Sequence, residues 1–218
     1  MGCSKGGGTM NWMDMSLRDF QAALASSSPT PGGGTAAAVA LGQAAALTCM
    51  VTDLTIGKEK WQEGWQVAED AQNTAIPLMG RAGELAIEDS DSFDAVMACF
   101  KMPKGNDEEI DARRNCIRQS TLKAAEVPFE TATLALSLLR HLPDLAAKGN
   151  GNAASDVGVA ALLASAAVKG ALFNVEINLS SIPEEMGAHM RKLTPDILEE
   201  ARVLSRDSMK SVNSRLGL

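Results

Sequence analysis

Four stretches of this chain carry side chains whose chemistry exceeds what a helix or turn requires. In Pro31-Gly32-Gly33-Gly34-Thr35, three glycines precede an Ala-rich run. Without Cβ atoms, their backbone amides can lie against a ligand. A helix starting there adds partial positive charge, suited to a carboxylate, carbonyl or phosphate. No Gly-Lys-Ser/Thr follows, so this is not a Walker A loop. In Gly57-Lys58-Glu59-Lys60-Trp61, two cations flank an aromatic, which suits an anionic, ring-bearing ligand. The acidic run Glu88-Asp89-Ser90-Asp91-Ser92-Phe93-Asp94 spreads its carboxylates around a helix, so one or two at most can face a shared pocket. A carboxylate in such a dry pocket is a candidate general base or acid. The fourth stretch, Gly149-Asn150-Gly151-Asn152-Ala153-Ala154-Ser155-Asp156, leads into a second Ala-rich run carrying Asn174 and Asn178 on one helical face. Those amides must find partners in the core or in a ligand. Each stretch also has a plainer reading: a tight turn, a solvated helix start, a solvated acidic face, and a helix cap at Ser155 or Asp156.

Other chemistries are disfavoured. The net charge is −7, so the chain presents no global field for a nucleic-acid backbone. Cys3, Cys49, Cys99 and Cys116 have no CxxC spacing, and no metal site is expected. They read as reduced, mostly buried thiols of a cytoplasmic protein. His141 and His189 stand far apart and form no HExxH motif; they read as structural. The opening Met1-Gly2-Cys3-Ser4-Lys5-Gly6 fails the myristoylation pattern at Gly6. Residues 1–14 read as a disordered tail, and the stretch 35–52 reads as too weakly apolar for a membrane span.

The elements that must position these residues are helical. Of 218 residues, aromatics make up 4% and Tyr is absent, while Ala and Met are abundant, a balance that favours helix over strand. Ser16 caps a first helix with Leu17, Phe20 and Leu24 on one face, and 26–34 ends it. Helices are expected over 35–57, over 58–101 with a kink or break at Pro77, and to about 141 with an internal Pro128. A second Ala-rich helix covers 153–179, Pro183 opens a short helix, and Thr194-Pro195 caps the last. The fold class is therefore all-α: a single-domain helical bundle over 15–218 with kinked long helices and two small-residue helices at its centre. One thin bundle cannot cover both Ala-rich helices, which points to a homodimer.

Together, these segments resemble one family. Ser28-Pro29-Thr30-Pro31-Gly32-Gly33-Gly34-Thr35, Leu54-Thr55-Ile56-Gly57-Lys58, Asp89 with Phe93, Met102-Pro103-Lys104 and Phe173-Asn174-Val175-Glu176-Ile177-Asn178-Leu179 occur in its order and approximate spacing. The chain is similar to the formiminotransferase-cyclodeaminase C-terminal domain family, which includes stand-alone methenyltetrahydrofolate cyclohydrolases, over about residues 15–215. Phe93-Asp94-Ala95-Val96-Met97 and Asp107-Glu108-Glu109 look like its cyclohydrolase branch. Where many members have Gly-Lys-Lys-Lys-Tyr, this chain has Gly57-Lys58-Glu59-Lys60-Trp61, with one cation fewer and Trp for Tyr.

The resemblance implies an all-α dimer with a folate site near the subunit groove. The implied reaction is hydrolysis of 5,10-methenyltetrahydrofolate to 10-formyltetrahydrofolate. The alternative is a formiminotetrahydrofolate cyclodeaminase releasing ammonia; a non-enzymatic helical interaction module is a third reading. Asp89 is the first candidate for the carboxylate that orients or deprotonates water, and Asp156 the second. Lys58 and Lys60 would hold the glutamyl tail. Gly32, Gly33, Gly34 and Thr35 would meet a carbonyl or carboxylate, and Asn150, Asn174 and Asn178 complete the binding set. No cofactor beyond the tetrahydrofolate substrate is expected, and neither a nucleic acid nor a membrane as partner.

Overall fold

The computed structural model describes residues 11–218, and seven α-helices joined by turns make up those residues, with no strand among them. They are α1 (Leu17–Leu24), α2 (Gly33–Thr55), α3 (Trp65–Phe100), α4 (Asp107–Leu139), α5 (Leu142–Lys148), α6 (Ala154–Ser180) and α7 (Ala188–Leu216). Residues 1–10, most of the expected tail and Cys3 with it, lie outside the described residues.

Residues 11–14 depart from the tail expectation. Asn11 accepts from the Met13 N–H and caps a 3-10 turn, Trp12–Asp14. Trp12 packs on the small apolar cluster of Ala38, Leu85, Ala86 and Val127. Met13 lies over Gly83, where an added Cβ would meet its Cγ at 2.9 Å. Trp12 brings apolar area to this cluster, and partly burying it offsets the entropy of ordering the segment.

The two Ala-rich helices, α2 and α6, form the centre as expected. They run antiparallel: a Cβ on Gly170 of α6 would meet Ala37 of α2 at 3.6 Å, and at the other end the Asn150 N–H donates to Thr55 Oγ1 at 3.0 Å. Small side chains permit that approach, and Leu41, Val51, Val157, Val168, Leu172 and Val175 fill the remaining core volume. Length and composition alone would let α2 and residues 151–180 cross a membrane, so α2 is more apolar than its sequence reading allows. About half of each apolar stretch is buried inside the bundle.

On α2's other flank lies α3, and α4 returns along α3. Arg81 of α3 ties these two together, donating to both carboxylate oxygens of Glu130 on α4 at 2.8 and 2.9 Å and to Glu88 at 2.6 and 3.0 Å. Near the hairpin's tip, Cys99 and Cys116 form a disulfide with a Cα–Cα distance of 5.6 Å. This corrects the expectation of reduced thiols there: the antiparallel return of α4 is a tertiary feature that spacing does not reveal. Cys49 remains a half-buried thiol, and burial pushes its pKa up, followed by the charge of Asp53.

The prolines also correct the boundaries. Pro77 and Pro128 lie inside α3 and α4, which continue through them without a break. The last helix starts at Ala188, so Pro195 is interior, and residues 181–187 form turns where a short helix was expected. Gly187 enters α7 at φ 69°, a left-handed conformation that favours glycine. Both histidines hold structure. His141 Nε2 pairs with Thr74 Oγ1 at 3.0 Å, and His189 sets its edge against Phe129.

Candidate active site

The N-terminus of α2, the middle of α3 and the C-terminal part of α6 converge on a cavity of about 250 Å³. Gly32, Gly33 and Gly34 form one wall, Asn174 and Asn178 another, and Asp89, Ser92, Phe93 and Val96 line it from α3. On α3, positions 89, 92, 93 and 96 share a face because helical neighbours recur every three or four residues. Among the described residues, Asp89 is the single ionisable one in the lining.

Asp89 sits across the start of α2. Thr35 Oγ1 donates to Asp89 Oδ2 at 3.0 Å. Gly32, the N-cap of α2, has no side chain to cap the helix. Burial lifts the Asp89 pKa above its ordinary value, and the Thr35 bond opposes that lift only in part. The result is a buried carboxylate with raised proton affinity, held on one side and open to the cavity on the other.

The three glycines differ in what they permit. None has positive φ, so left-handed backbone is not the reason for the run. At Gly34 a Cβ would sit inside the Asp89 carboxylate. At Gly33 it would meet only Asn174 Nδ2 at 3.7 Å, and at Gly32 the Pro29 oxygen at 3.4 Å. Close approach is therefore demanded at Gly34, whereas Gly33 borders space a ligand can fill. The N–H groups of Gly33 and Gly34 stand in the first turn, where a helix supplies no acceptor.

The asparagines find partners in the protein. Asn174 Nδ2 donates to Gly170 O at 2.9 Å within α6, and Asn178 Nδ2 donates to Ala124 O at 2.9 Å, joining α6 to α4. One amide hydrogen of each is so engaged, which leaves the second N–H to donate and the carbonyl oxygen to accept.

The remaining candidates gather at the opposite end of the bundle. Helix α2 has 23 residues, so Lys58 and Lys60 lie about 33 Å along it from the glycine wall. There a second cavity of about 430 Å³ is lined by Lys60, Trp61, Lys148 and Arg215, with Glu59 and Glu63. Lys60 Nζ lies 4.6 Å and the Arg215 guanidinium 5.1 Å from the Trp61 ring, and Arg215 also donates to Gly149 O at 2.6 Å. Lys58 precedes the 3-10 turn Glu59–Gly64. Asn150 donates through Nδ2 to Leu54 O at 2.9 Å, which fixes the loop.

Asp156 lies in the first turn of α6, where a carboxylate complements the helix dipole, and it does not reach Asp89. The α6 N-cap is Ala153, so neither Ser155 nor Asp156 caps that helix. Within one chain, then, Asp89, Gly32, Gly33, Gly34, Thr35, Asn174 and Asn178 come together, while Lys58, Lys60, Asn150 and Asp156 do not join them. Ser92 and Val96 escaped the sequence reading although their spacing from Asp89 was available. Lys148 and Arg215 escaped it because only the tertiary fold brings them beside Trp61. Among the described residues, no cluster of three or more His, Cys, Asp or Glu side chains is placed to hold a metal ion.

Residues 16–193 match the model of the formiminotransferase-cyclodeaminase family. The methenyltetrahydrofolate cyclohydrolase of Methylorubrum extorquens is 36% identical over 205 residues, covering 92% of this chain and 97% of that protein. The formimidoyltransferase-cyclodeaminase of Gallus gallus is 37% identical over 190 residues, but the match spans only 35% of its length. The crystal structure of formiminotetrahydrofolate cyclodeaminase from Thermotoga maritima superposes with a TM-score of 0.76 at 29% identity, covering 94% of this chain and 97% of that one.

Proposed function

The chain belongs to the formiminotransferase-cyclodeaminase family, and we propose that it hydrolyses 5,10-methenyltetrahydrofolate to 10-formyltetrahydrofolate. The observation that carries this reading is Asp89, the single ionisable group among the described residues that line the cavity. The near end-to-end match to a cyclohydrolase supports it.

The substrate is a cation whose bridging carbon is already electrophilic. Ionised Asp89 offsets that charge and accepts a proton from water as the C–O bond forms. The C–N5 bond of the resulting carbinolamine then breaks, its electrons going to N5, which takes the proton back from Asp89. The hydroxyl proton leaves to solvent, the carbon becomes the N10-formyl group, and one proton is released overall. The raised proton affinity makes Asp89 a stronger base than an ordinary carboxylate. The same property, with the likeness to the Thermotoga protein, supports a second reading. A protonated Asp89 can donate to the leaving amine as N10 closes the ring of 5-formiminotetrahydrofolate. Assaying purified protein on both substrates separates the two: loss of the methenyl absorbance without ammonia release from the formimino compound is the expected result, and the converse establishes the deaminase.

We further propose that the chain works as a homodimer. Helix α6 exposes Val159 (49%), Leu162 (55%), Phe173 (64%) and Ile177 (67%), and α2 exposes Met50 and Leu54 beside them. A second copy is the fitting cover for such a face, since stable homodimers bury about 2,000 Å² or more of apolar surface. A two-fold axis through the middle of α2 and α6 would set the Asp89 cavity of one copy near the Lys60–Trp61–Arg215 cavity of the other. Folate's pterin end would then react at Asp89 while the partner's cations hold the glutamyl tail. Light scattering at micromolar concentration tests the dimer; a stable monomer contradicts it.

A further inference from the structure

Asp89 is the inner end of a hydrogen-bonded chain that reaches the N-terminal segment. Trp12 Nε1 lies 3.0 Å from Ser90 Oγ, Ser90 Oγ 3.1 Å from Thr35 Oγ1, and Thr35 Oγ1 3.0 Å from Asp89 Oδ2. Chemistry fixes the direction of every link. Ionised Asp89 only accepts, so Thr35 spends its one proton on it. Thr35 must then accept from Ser90. The indole N–H only donates, so Ser90 accepts from Trp12. Ser90 and Thr35 are buried, 5% and 0% exposed, so bulk water is not a ready substitute donor. Trp12 itself is held by its packing on Ala38, Leu85, Ala86 and Val127.

We propose that Trp12 is a positioning residue for Asp89: its N–H closes a one-way relay through Ser90 and Thr35 that orients the carboxylate and favours its ionised form. The inference rests on the role given to Asp89 above. A relay of donors aligned toward an anion polarises each member in turn and strengthens the last bond. It opposes the burial that lifts the Asp89 pKa. Without the indole donor, the Ser90 hydroxyl loses the partner that fixes its direction, and its proton is free to turn to the backbone carbonyl one helical turn back.

Among the described residues, the other charges near Asp89 lie outside its cavity. The groups that α2, α4, α6 and the 29–34 loop contribute to the cavity are neutral. Glu88 and Asp91 of α3 and Lys123 of α4 line the adjoining groove, and Glu88 is bound by Arg81.

Trp12→Phe keeps an aromatic ring on the cluster and deletes the donor together with part of the indole's bulk. Two readouts follow it: the acid limb of kcat/KM for methenyl hydrolysis, and the carboxyl titration of Asp89 by NMR on the full chain with ¹³C-labelled aspartate, assigned with Asp89→Asn. Both should move to higher pH by about half a unit, with the melting temperature little changed. In a Ser90→Ala background, where the relay is already cut, Trp12→Phe should produce no further shift in either. An unmoved Asp89 titration in Trp12→Phe overturns the proposal, as does a shift of equal size in the Ser90→Ala background, which would mark a packing effect. If the titration moves while Asp89→Asn remains fully active, the relay stands and Asp89 loses its place in the reaction.

Discussion

The two ends of α2 carry opposite kinds of polar site. At its N-terminus one carboxylate is buried among neutral groups, and every neighbour is fixed: Thr35 holds it, Gly34 makes room for it, Ser90 and Trp12 back it. At its C-terminus several charges share an open cavity around Trp61, with Lys60, Lys148 and Arg215 set against Glu59 and Glu63. A buried, isolated charge has its proton affinity tuned by its surroundings and suits bond making. A cluster of solvated cations around a ring suits holding an anion. The proposed function draws on this contrast, with reaction at one end and substrate retention at the other.

The largest effect should come from Asp89→Asn. Turnover should fall by about 10²–10⁴-fold, because the base is removed at nearly constant shape. The fold should not suffer. A carboxyl whose folded pKa is raised contributes stability below its unfolded pKa and loses it as pH rises through the folded value, so the ionised form burdens the fold at neutral pH. The melting temperature of the variant at pH 7 should equal or exceed that of the parent, and should gain nothing at pH 3; a marked loss of stability at pH 7 would recast Asp89 as a structural cap of α2.

Next are the glycines, which split the first end into fixed and open parts. Gly34→Ala forces its Cβ into the Asp89 carboxylate. It should cost about 1–3 kcal/mol of stability and most of the activity. Gly33→Val should leave melting nearly unchanged, since its nearest neighbour is at ordinary contact distance, yet weaken folate binding by filling the cavity. Equal melting losses for the two variants would erase this distinction.

Lys60→Ala acts at the other end. KM for a polyglutamylated substrate should rise about tenfold with kcat unchanged, the mark of lost uniform binding. A fall in kcat instead would place Lys60 with the chemistry. The smallest effect is expected where neither end is touched. Arg140 donates to Glu200 at 2.6 and 2.9 Å on the exposed surface. The Arg140 bond holds the Glu200 pKa below its ordinary value, so the pair contributes at neutral pH and fades as pH falls through that lowered value. Arg140→Ala should cost under about 1 kcal/mol at pH 7 and nothing measurable by pH 2, as chemical denaturation can check.

Much of the first end was legible in the sequence. Asp89 and the glycines announce themselves locally, through an acidic helical run and a break in composition before an Ala-rich helix. Which glycine is indispensable was not, because that depends on where α3 places its carboxylate. The Trp12–Ser90 bond spans 78 positions, and nothing near Trp12 marks its partner, so residues 11–14 were grouped with the tail. The Cys99–Cys116 bond was hidden for the same reason. Lys58 and Lys60 were legible as cations beside a ring, but their distance from Asp89 follows only from the unbroken length of α2. Local chemistry was thus readable, and the pairing of distant segments was not.

The division of labour, and its joining across two copies, is tested most directly by co-expressing Asp89→Asn chains with Lys58→Ala/Lys60→Ala chains and measuring kcat/KM on a polyglutamylated substrate. Each variant alone is weak. In mixed dimers one of the two sites draws an intact Asp89 from one copy and intact lysines from the other, so random pairing should restore about a quarter of the parental sites. Activity no greater than the mean of the two variants measured separately would contradict the account, confining each functional set to its own chain.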